Sequence, residues 1–300
     1  MRARFVVAAL AAALAIPAVL ARVSGGDAGR PCSLQLVKLD TDGCTVVAAD
    51  TAASGDAAGL WGSVDCADVS RQQRVARGGD PHTLATGRRQ HNDAYRRVTV
   101  VDGDDFFGER CELGHNNLSE PTFARFEEGD RAVTFASFRF PRGFPLRSPM
   151  WQAVLQMKQT QPSANGGGAP ILELDARDGR LMLFDNWHRV WSTPVRHRLW
   201  VRVALDVRYS QDPQRGTARI YVDANGDGDA GDRGERSRLF HLRTLKSETE
   251  GGTADDGIAP GEPIPSHLRA GIYHDPSYLC LPQRPCALHL DNVEVVEAGS

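Results

Sequence analysis

The chain has 300 residues, of which 41% are hydrophobic and 24% are charged, and its formal net charge is −3. A mildly acidic chain lacks the basic footprint that general nucleic-acid binding needs, so we expect no nucleic-acid partner.

The first residues have the pattern of a secretory signal peptide. Arg2 and Arg4 precede an almost purely apolar run from Phe5 to Leu20. This run is shorter than the roughly 20 residues of a spanning helix, which argues against the alternative of an uncleaved membrane anchor. Small residues at the −3 and −1 positions predict cleavage after Ala21. We therefore expect residues 1–21 to be removed and residues 22–300 to be secreted, without membrane attachment.

Six cysteines remain in the predicted mature chain: Cys32, Cys44, Cys66, Cys111, Cys280 and Cys286. An even number in an exported protein favours disulfides, and their spacing is not typical of a zinc site. Cys280 and Cys286 bracket a Leu-Pro-Gln-Arg-Pro turn and are the expected pair. Proximity favours Cys32–Cys44, which leaves Cys66 with Cys111, although four cysteines allow three pairings.

Short runs of alternating polarity, separated by Gly, Pro, Asn and Asp, predict strands along most of the chain. These runs are 95–101, 131–140, 150–158, 170–175, 180–185, 199–208, 217–223, 238–245, 268–273 and 287–296. Such a series indicates a β-sandwich or jelly roll, and no segment has the period of a long amphipathic helix. Neither a repeat nor a Pro/Ser-rich linker divides residues 22–300, so we predict one domain.

Three predicted strands bury one face and display long polar side chains on the other, because residues i and i+2 of a strand share a face. The displayed residues are Arg110 and Glu112, then Gln152, Val154, Gln156 and Lys158, then Arg269, Gly271 and Tyr273. The buried residues are Cys111 and Leu113, then Trp151, Ala153, Leu155 and Met157, then Leu268, Ala270 and Ile272. A solvated outer face explains any one of these strands, but the combined set predicts a polar binding surface.

These three segments resemble, in order, three motifs of jelly-roll polysaccharide lyases: Arg-x-Glu-Leu, Gln-x-His, and Lys-x-Gly-x-Tyr as in alginate lyases. The matching residues are Arg110-Cys-Glu112-Leu113, Gln156-Met157-Lys158 and Leu268-Arg-Ala-Gly-Ile-Tyr273. The wider chain resembles the heparin-lyase and glucuronan-lyase branch. The resemblance implies an all-β, concanavalin-like jelly-roll sandwich of two antiparallel sheets with a concave glycan groove. It also implies a monomeric lyase that acts on acidic polysaccharides and requires no cofactor.

The resemblance further implies β-elimination at a uronic acid. The reaction removes the proton at C5 and expels the oxygen at C4, so donors must meet the charge that spreads into the carboxylate. Arg110, Gln156 and Lys158 are expected to be these donors. Lys158 replaces the family histidine, and because a lysine is a poor base unless desolvated, we expect Tyr273 to transfer the proton.

Four further residues are expected to contact or support the substrate. A phenol is a weak acid in water, so a cation, Arg110 or Arg269, is expected to stabilise the phenolate of Tyr273. Glu112 is expected to orient one of these arginines through a salt bridge. His115 and Asn117 follow the first motif and are predicted to line the groove.

Trp187 and Trp191 fit either a sugar-stacking platform or packing inside the protein.

A metal site is predicted in the segment Asp223-x-Asn225-x-Asp227-Gly228-Asp229, which matches the start of a calcium loop. The twelfth position of an EF-hand is Gly234 here, and a strand precedes the loop, so it is not an EF-hand. A structural calcium ion held by these four side chains is the prediction, with a solvated Asx-rich turn as the alternative.

Two other functions compete with a lyase. A glycoside hydrolase needs two carboxylates across the sugar bond, and Glu173 and Asp175 share a strand face. A non-catalytic glycan-binding module on the same fold is the second alternative, because a fold does not determine a function.

Overall fold

The computed structural model describes residues 35–40, 44–52, 55–76, 94–114, 123–160, 169–249 and 257–298. The chain divides into two units, Met1–Arg30 and Pro31–Ser300, and all described residues belong to the second. The predicted signal peptide, His115 and Asn117 lie outside the described residues and stay predictions.

The described chain forms eighteen strands, numbered β1 to β18 in chain order, and most of them belong to two antiparallel sheets. The front sheet contains β2 (Val64–Cys66), β5 (Arg110–Leu113), β6 (Arg125–Phe126), β8 (Gln152–Gln159), β9 (Leu172–Arg177), β10 (Arg180–Asp185), β11 (His188–Pro194) and β17 (Ser266–His274). Its order is β11-β10-β9-β8-β17-β5-β2, and β6 also pairs with β17. The strands β5, β17 and β8 are therefore neighbours, although they are far apart in the sequence.

The back sheet contains β1 (Val46–Asp50), β3 (Gln72–Ala76), β4 (Ala94–Val100), β7 (Arg131–Arg139), β12 (Trp200–Arg208), β13 (Thr217–Asp223), β14 (Phe240–His241) and β18 (Cys286–Glu297). Its order is β14-β13-β12-β7-β18-β4-β3, with β1 on β18. A separate pair joins β15 (Lys246–Ser247) to β16 (Pro263–Ile264). One α-helix, α1 (Ala57–Trp61), and two 3-10 turns, Leu36–Lys38 and Val69–Arg71, complete the described elements.

A single large apolar cluster joins the facing sides of the two sheets, with residues such as Leu155 and Ile272 from the front and Phe138 and Val203 from the back. Each of the ten predicted runs overlaps a strand, and the predicted all-β sandwich of two antiparallel sheets is confirmed. None of the helices in the described ranges has the length and apolar character required to cross a bilayer.

The strand β8 contains an irregularity that the sequence does not predict. Its pairing with β9 and with β17 shifts register around Val154, and both Val154 and Leu155 pack in the core. Relative to β9 the extra residue is in β8, and relative to β17 it is in β17, between Ala270 and Tyr273. An extra residue in a strand reverses the alternation of side chains beyond it. The prediction that Ala153 shares the core face of Leu155 is therefore wrong.

Beyond this bulge, Ala153 lies directly opposite Tyr273 on one side and Asp175 on the other. Trp151, also predicted to face the core, packs edge-on against Tyr273 with ring centroids 4.7 Å apart. The bulge thus places a small side chain and an aromatic one beside the residues displayed by β17.

Two disulfides are described, Cys66–Cys111 and Cys280–Cys286. The second is the expected pair, and the first is one of the pairings that the sequence leaves open. The first joins β2 to β5, where the two cysteines are also partners in register. Cys44 is disulfide-bonded as well, and Cys32, the partner favoured for it, lies outside the described residues.

Candidate active site

The displayed residues of the three predicted strands meet on one face of the front sheet. Tyr273 lies opposite Arg110, Gly271 opposite Glu112, and Arg269 opposite Gln156. Directly opposite residues in adjacent strands point to the same side, so these side chains form one surface. We call this surface, together with Lys158, Asp65, Glu173 and Asp175, the site face.

The carboxylate of Glu112 is the centre of the site face and is 1% exposed. It accepts a hydrogen bond from Gln156 Nε2 at 2.6 Å. Arg110 Nη1 and Arg269 Nη2 each lie 3.3 Å from its Oε2 atom. The salt bridge expected for Glu112 is therefore present, and it reaches both arginines.

Gln156 and Arg269 are covered by this network. They are 2% and 3% exposed, respectively. Arg269 also forms an ion pair with Asp65, which lies opposite Glu112 on β2. The sequence predicts that Gln156 and Arg269 contact substrate directly, but in the structure Gln156 Nε2 and Arg269 Nη2 point to protein carboxylates.

Arg110 and Tyr273 form the most direct contact between a cation and an aromatic ring at the site. The guanidinium carbon of Arg110 lies 3.6 Å from the centroid of the Tyr273 ring. A second guanidinium nitrogen, Nη2, donates to the carbonyl oxygen of Phe107 at 2.6 Å. Arg110 is thus held between Glu112, Tyr273 and the backbone, which fixes its charge beside the phenol.

The loop before β5 forms one rim of the site and carries a residue that sequence reasoning missed. The side chain of Phe107 is 85% exposed, and its backbone adopts a left-handed conformation with φ of 54°. The next residue, Gly108, has φ of 100°, and a Cβ atom there would lie 2.9 Å from the ring of Tyr273. The loop therefore packs closely on Tyr273 and presents Phe107 to solvent.

Lys158 lies at the other end of the site face and is half-buried. Burial lowers the pKa of its ammonium to about 8, and the positive charges of Lys246, Arg269 and Arg110 act in the same direction. Glu112 opposes the shift. Lys158 therefore changes its charge near neutral pH, which an ordinary lysine does not.

A histidine lies across from Lys158, on β17. His267 is opposite Lys158 in register, is 1% exposed, and has Nε2 3.3 Å from Thr160 Oγ1. The sequence predicts a strand that begins at Leu268, so it does not include His267. His267 continues the alternation of residues 269, 271 and 273 on the site face.

Two acids of β9 extend the site face beyond β8. Glu173 lies opposite Gln156, and Asp175 lies opposite Ala153. The two carboxyl groups are in hydrogen-bonding contact, and burial together with the Asp175 charge raises the pKa of Glu173 well above its usual value. Retaining glycosidases keep their two carboxyl groups about 5 Å apart with the sugar bond between them, whereas these two contact each other.

The predicted calcium segment is a tight turn after β13. The carboxylate of Asp223 accepts hydrogen bonds from the amides of Gly226 and Gly228, at 2.6 and 3.0 Å. Asp229 pairs with Lys38, and Asn225 donates to Asp227. Among the described residues, no group of three or more His, Cys, Asp or Glu side chains is arranged to hold a metal ion. Calcium binding here stays a prediction.

The two tryptophans near β11 have different environments. Trp187 is 60% exposed at the turn between β10 and β11, whereas Trp191 is partly buried against the core. Trp191 thus packs against the core, and Trp187 is available at the surface.

A family model described as "Polysaccharide lyase" matches residues 52–294. Among solved structures, the chain is similar to the endo-β-1,4-glucuronan lyase from the fungus Trichoderma reesei, with 15% identity, TM-score 0.52, and coverage of 79% of this chain and 91% of that one. It is also similar to the marine PL-14 alginate lyase from Aplysia kurodai, with 11% identity, TM-score 0.50, and coverage of 85% and 100%.

The catalytic domain of a glycoside hydrolase family 131 protein from Coprinopsis cinerea matches with 13% identity, TM-score 0.46, and coverage of 76% of this chain and 84% of that one. No curated protein sequence matches the chain. At the identities of these structural matches, the similarity to the two lyases shows a shared fold.

Proposed function

The chain belongs to the polysaccharide lyase family, and from that membership we propose that it cleaves uronic-acid-containing polysaccharides by β-elimination. The observation that carries the proposal is the contact between Arg110 and Tyr273, from two neighbouring strands, above the buried carboxylate of Glu112. This elimination first needs two groups: a proton acceptor, which is Tyr273 in this proposal, and a cation for the uronate carboxylate, which is Arg110.

In the proposed reaction, Tyr273 as phenolate takes the proton from C5. The guanidinium of Arg110 lies beside this phenol, with its carbon atom 3.6 Å from the ring centroid. The electrons of the broken C–H bond form the double bond between C5 and C4, and the C4–oxygen bond breaks. The phenol then returns its proton to the leaving oxygen.

Negative charge spreads into the uronate carboxylate as the C5 proton leaves, and fixed donors at that carboxylate lower the barrier. Arg110 and Lys158 are the partly accessible cations of the site face. Gln156 and Arg269 act one step further away, since they hold Glu112 and through it the guanidinium of Arg110. Such supporting contacts keep catalytic groups within the narrow tolerance that the reaction requires.

Two small residues lie at the floor of the site face. Gly271 and Ala153 present little or no side chain between Glu112, Tyr273 and Asp175. A Cβ atom at residue 271 would lie 2.2 Å from the carbonyl oxygen of Cys111, so the close approach of β5 excludes a side chain there. We place the uronate beside Arg110 and Tyr273, which are partly exposed, with the exposed ring of Phe107 at the rim offering an apolar face to a neighbouring sugar.

Lys158 is a second candidate for the proton acceptor. Its pKa of about 8 gives it a substantial neutral fraction in mildly alkaline solution, and an uncharged amine accepts protons. We assign the transfer to Tyr273 because of the Arg110 contact, and the pH dependence of the reaction separates the two assignments.

The two described disulfides support the further proposal that the protein is exported and works outside the cytoplasm, where such bonds persist. The glucuronan and alginate lyases of similar fold suggest acidic polysaccharides as substrates. We propose that the protein acts on them as a monomer.

The test is incubation of the protein with glucuronan, alginate and heparin, with ultraviolet absorbance of the C4–C5 double bond as the readout. A lyase produces this absorbance together with new reducing ends. New reducing ends without absorbance would show a hydrolase. Binding of a polymer without either signal would show a non-catalytic module, and either result would end the lyase proposal.

A further inference from the structure

Two carboxyl groups that the proposed reaction does not use lie beside the substrate position. Glu173 is 7% exposed and Asp175 is 1% exposed, and their carboxyl groups are in hydrogen-bonding contact. Both belong to the site face, opposite Gln156 and Ala153 respectively. They are buried within the polar surface and are not part of the apolar core.

A pair of buried carboxyl groups in contact holds one proton between them, because two adjacent negative charges removed from water repel each other strongly. Arg177 Nε lies 3.3 Å from Asp175 Oδ2, which favours negative charge on Asp175. The Oδ1 atom of Asp175 is buried and accepts no hydrogen bond from the described N–H and O–H donors around it. A hydrogen on the Glu173 carboxyl is the donor that would satisfy such an oxygen.

The charges around Glu173 agree with this location of the proton. Burial and Asp175 raise the pKa of Glu173, and so does the carboxylate of Glu112 on β5. Lys158 on β8 opposes them with a smaller effect. On β10 the residue opposite Glu173 is Phe184, which carries no charge and is covered by the guanidinium of Arg177 at 4.6 Å. Apart from Lys158, these surroundings disfavour the ionised form of Glu173 and raise its pKa.

A protonated Glu173 would supply a hydrogen-bond donor for the uronate in the place of Gln156. Gln156, the neutral amide expected to bind the uronate, donates to Glu112. Glu173 lies directly opposite Gln156 on the next strand. A protonated carboxyl held in place by a carboxylate is a strong hydrogen-bond donor to a developing negative charge, and it brings no charge of its own.

We propose that Glu173 is a neutral hydrogen-bond donor for the uronate carboxylate, and that Asp175 holds its proton in position. This inference rests on the proposed lyase function. It assigns to Glu173 a direct contact with substrate and to Asp175 a positioning role.

The proton itself is tested first, without reference to activity. Infrared difference spectra between neutral and alkaline pH are recorded for the wild type, Glu173→Gln, and the control Glu297→Gln, whose residue is exposed on the back sheet. A protonated-carboxyl band in the wild type and the control, lost in Glu173→Gln, is the expected result. Its absence from the wild type overturns the inference, whatever the activity.

Turnover gives the second test. Glu173→Ala is expected to lower kcat/KM about a hundredfold, the usual loss for one donor to a developing charge. Glu173→Gln keeps an N–H donor and is expected to stay within about tenfold of the wild type. A donor that must be protonated is lost as pH rises through its pKa, so Glu173→Gln should also remove one ionisation from the alkaline side of the pH profile. Equal loss in both variants would show proton transfer by Glu173 and overturn the donor assignment.

Failure of the lyase proposal can be distinguished from failure of the Glu173 inference. If the wild type forms no unsaturated product from any of the three polymers, the band is measured again with glucuronan oligosaccharides added. A shift of the band supports the donor contact in the absence of turnover. An unchanged band overturns the inference.

Discussion

The guanidinium of Arg110 and the ring of Tyr273 face each other across the β5–β17 pairing, with 3.6 Å between the guanidinium carbon and the ring centroid. The same arginine reaches Glu112 and the backbone carbonyl of Phe107. The phenol and its cation therefore behave as one unit that is fixed from two sides. A change at either residue should affect proton transfer more than it affects binding of the polymer.

Replacement of Tyr273 by phenylalanine removes the hydroxyl and keeps the ring beside Trp151 and Arg110. We expect kcat to fall by about 10² to 10⁴, the range that general acid–base groups contribute. Affinity for glucuronan, measured with an electrophoretic retardation assay, should change little. Tyr221→Phe, on the back sheet, is the control and should keep full activity. Unchanged turnover in Tyr273→Phe would remove this residue from the mechanism.

Lys158 should make the reaction sensitive to pH near its pKa of about 8. As a cation for the uronate carboxylate it is charged below that pH and neutral above it, so kcat/KM should fall as pH rises through this range. Lys158→Arg keeps the charge and should move the fall to higher pH. Activity that rises through the same range, and is lost in Lys158→Arg, would instead identify Lys158 as the base.

The lowered pKa of Lys158 also affects stability. The free energy of unfolding is expected to rise with pH, whereas kcat/KM is expected to fall. The pKa of Lys158 is lowered in the folded protein from 10.5 to about 8, so between these values the unfolded chain binds more protons. The free energy of unfolding should therefore rise as pH increases across this interval. Urea unfolding of the wild type and Lys158→Met at several pH values tests this, and a parallel dependence in both proteins would contradict it.

Glu112 should be required for folding stability as well as for activity. Its removal in Glu112→Ala leaves the two arginines and Gln156 without their shared acceptor in a buried site. Loss of one partner from a buried charge network commonly costs about 3–5 kcal/mol. Glu127→Ala removes an exposed carboxylate paired with Arg125 at 3.1 Å and should cost less than about 1 kcal/mol. Equal unfolding free energies for the two variants would refute a central role for Glu112.

The exposed ring of Phe107 should contribute to affinity and not to the chemical step. Aromatic contacts are worth about 0.5–1.5 kcal/mol beyond the area they bury, so Phe107→Ala should raise KM by roughly threefold to tenfold at constant kcat. Phe107→Trp should retain the wild-type KM. Leu239→Ala, an exposed apolar residue outside the site face, serves as the control. A fall in kcat with unchanged KM would place Phe107 in the reaction and not in binding.

Calcium binding by the turn after β13 is expected to depend on pH. Burial raises the pKa of Asp223 to about 6, so this carboxylate is ionised, and able to bind a cation, only above that pH. Added calcium should raise the melting temperature at neutral pH and have little effect in mildly acidic solution. Asp223→Asn should abolish the increase. Identical melting temperatures with calcium and with a chelator would show that the turn is maintained by its own hydrogen bonds.

The alternation of side chains was sufficient to predict most of the site face from the sequence. In β5 and β17 the alternation is regular, so Arg110, Glu112, Arg269 and Tyr273 could be assigned to one face. The order of the strands in the sheet was not predicted, since alternation does not reveal which strands are neighbours.

The remaining features depend on local irregularity or on register. Neither glycine nor proline occurs in β8 at Val154, and Gly271 on the neighbouring strand does not reveal which strand it faces, so the position of Ala153 beside Tyr273 could not be predicted. The contact of Asp65 with Arg269 and the placement of Glu173 beside Gln156 depend on how distant strands align. Sequence reasoning did notice Glu173 and Asp175, but it treated them as the acids of a hydrolase.

Cys111 lies between Arg110 and Glu112 in the chain, and its disulfide partner Cys66 follows Asp65. The bond therefore joins β2 to β5 at the edge of the sheet. These two strands carry Asp65 and Glu112, the carboxylates that pair with Arg269. Protein produced in a reducing cytosol would lack this link, and β2 is an edge strand of only three residues. Specific activity of recombinant preparations should consequently track the oxidised fraction, and export to an oxidising compartment is the appropriate route for obtaining active material.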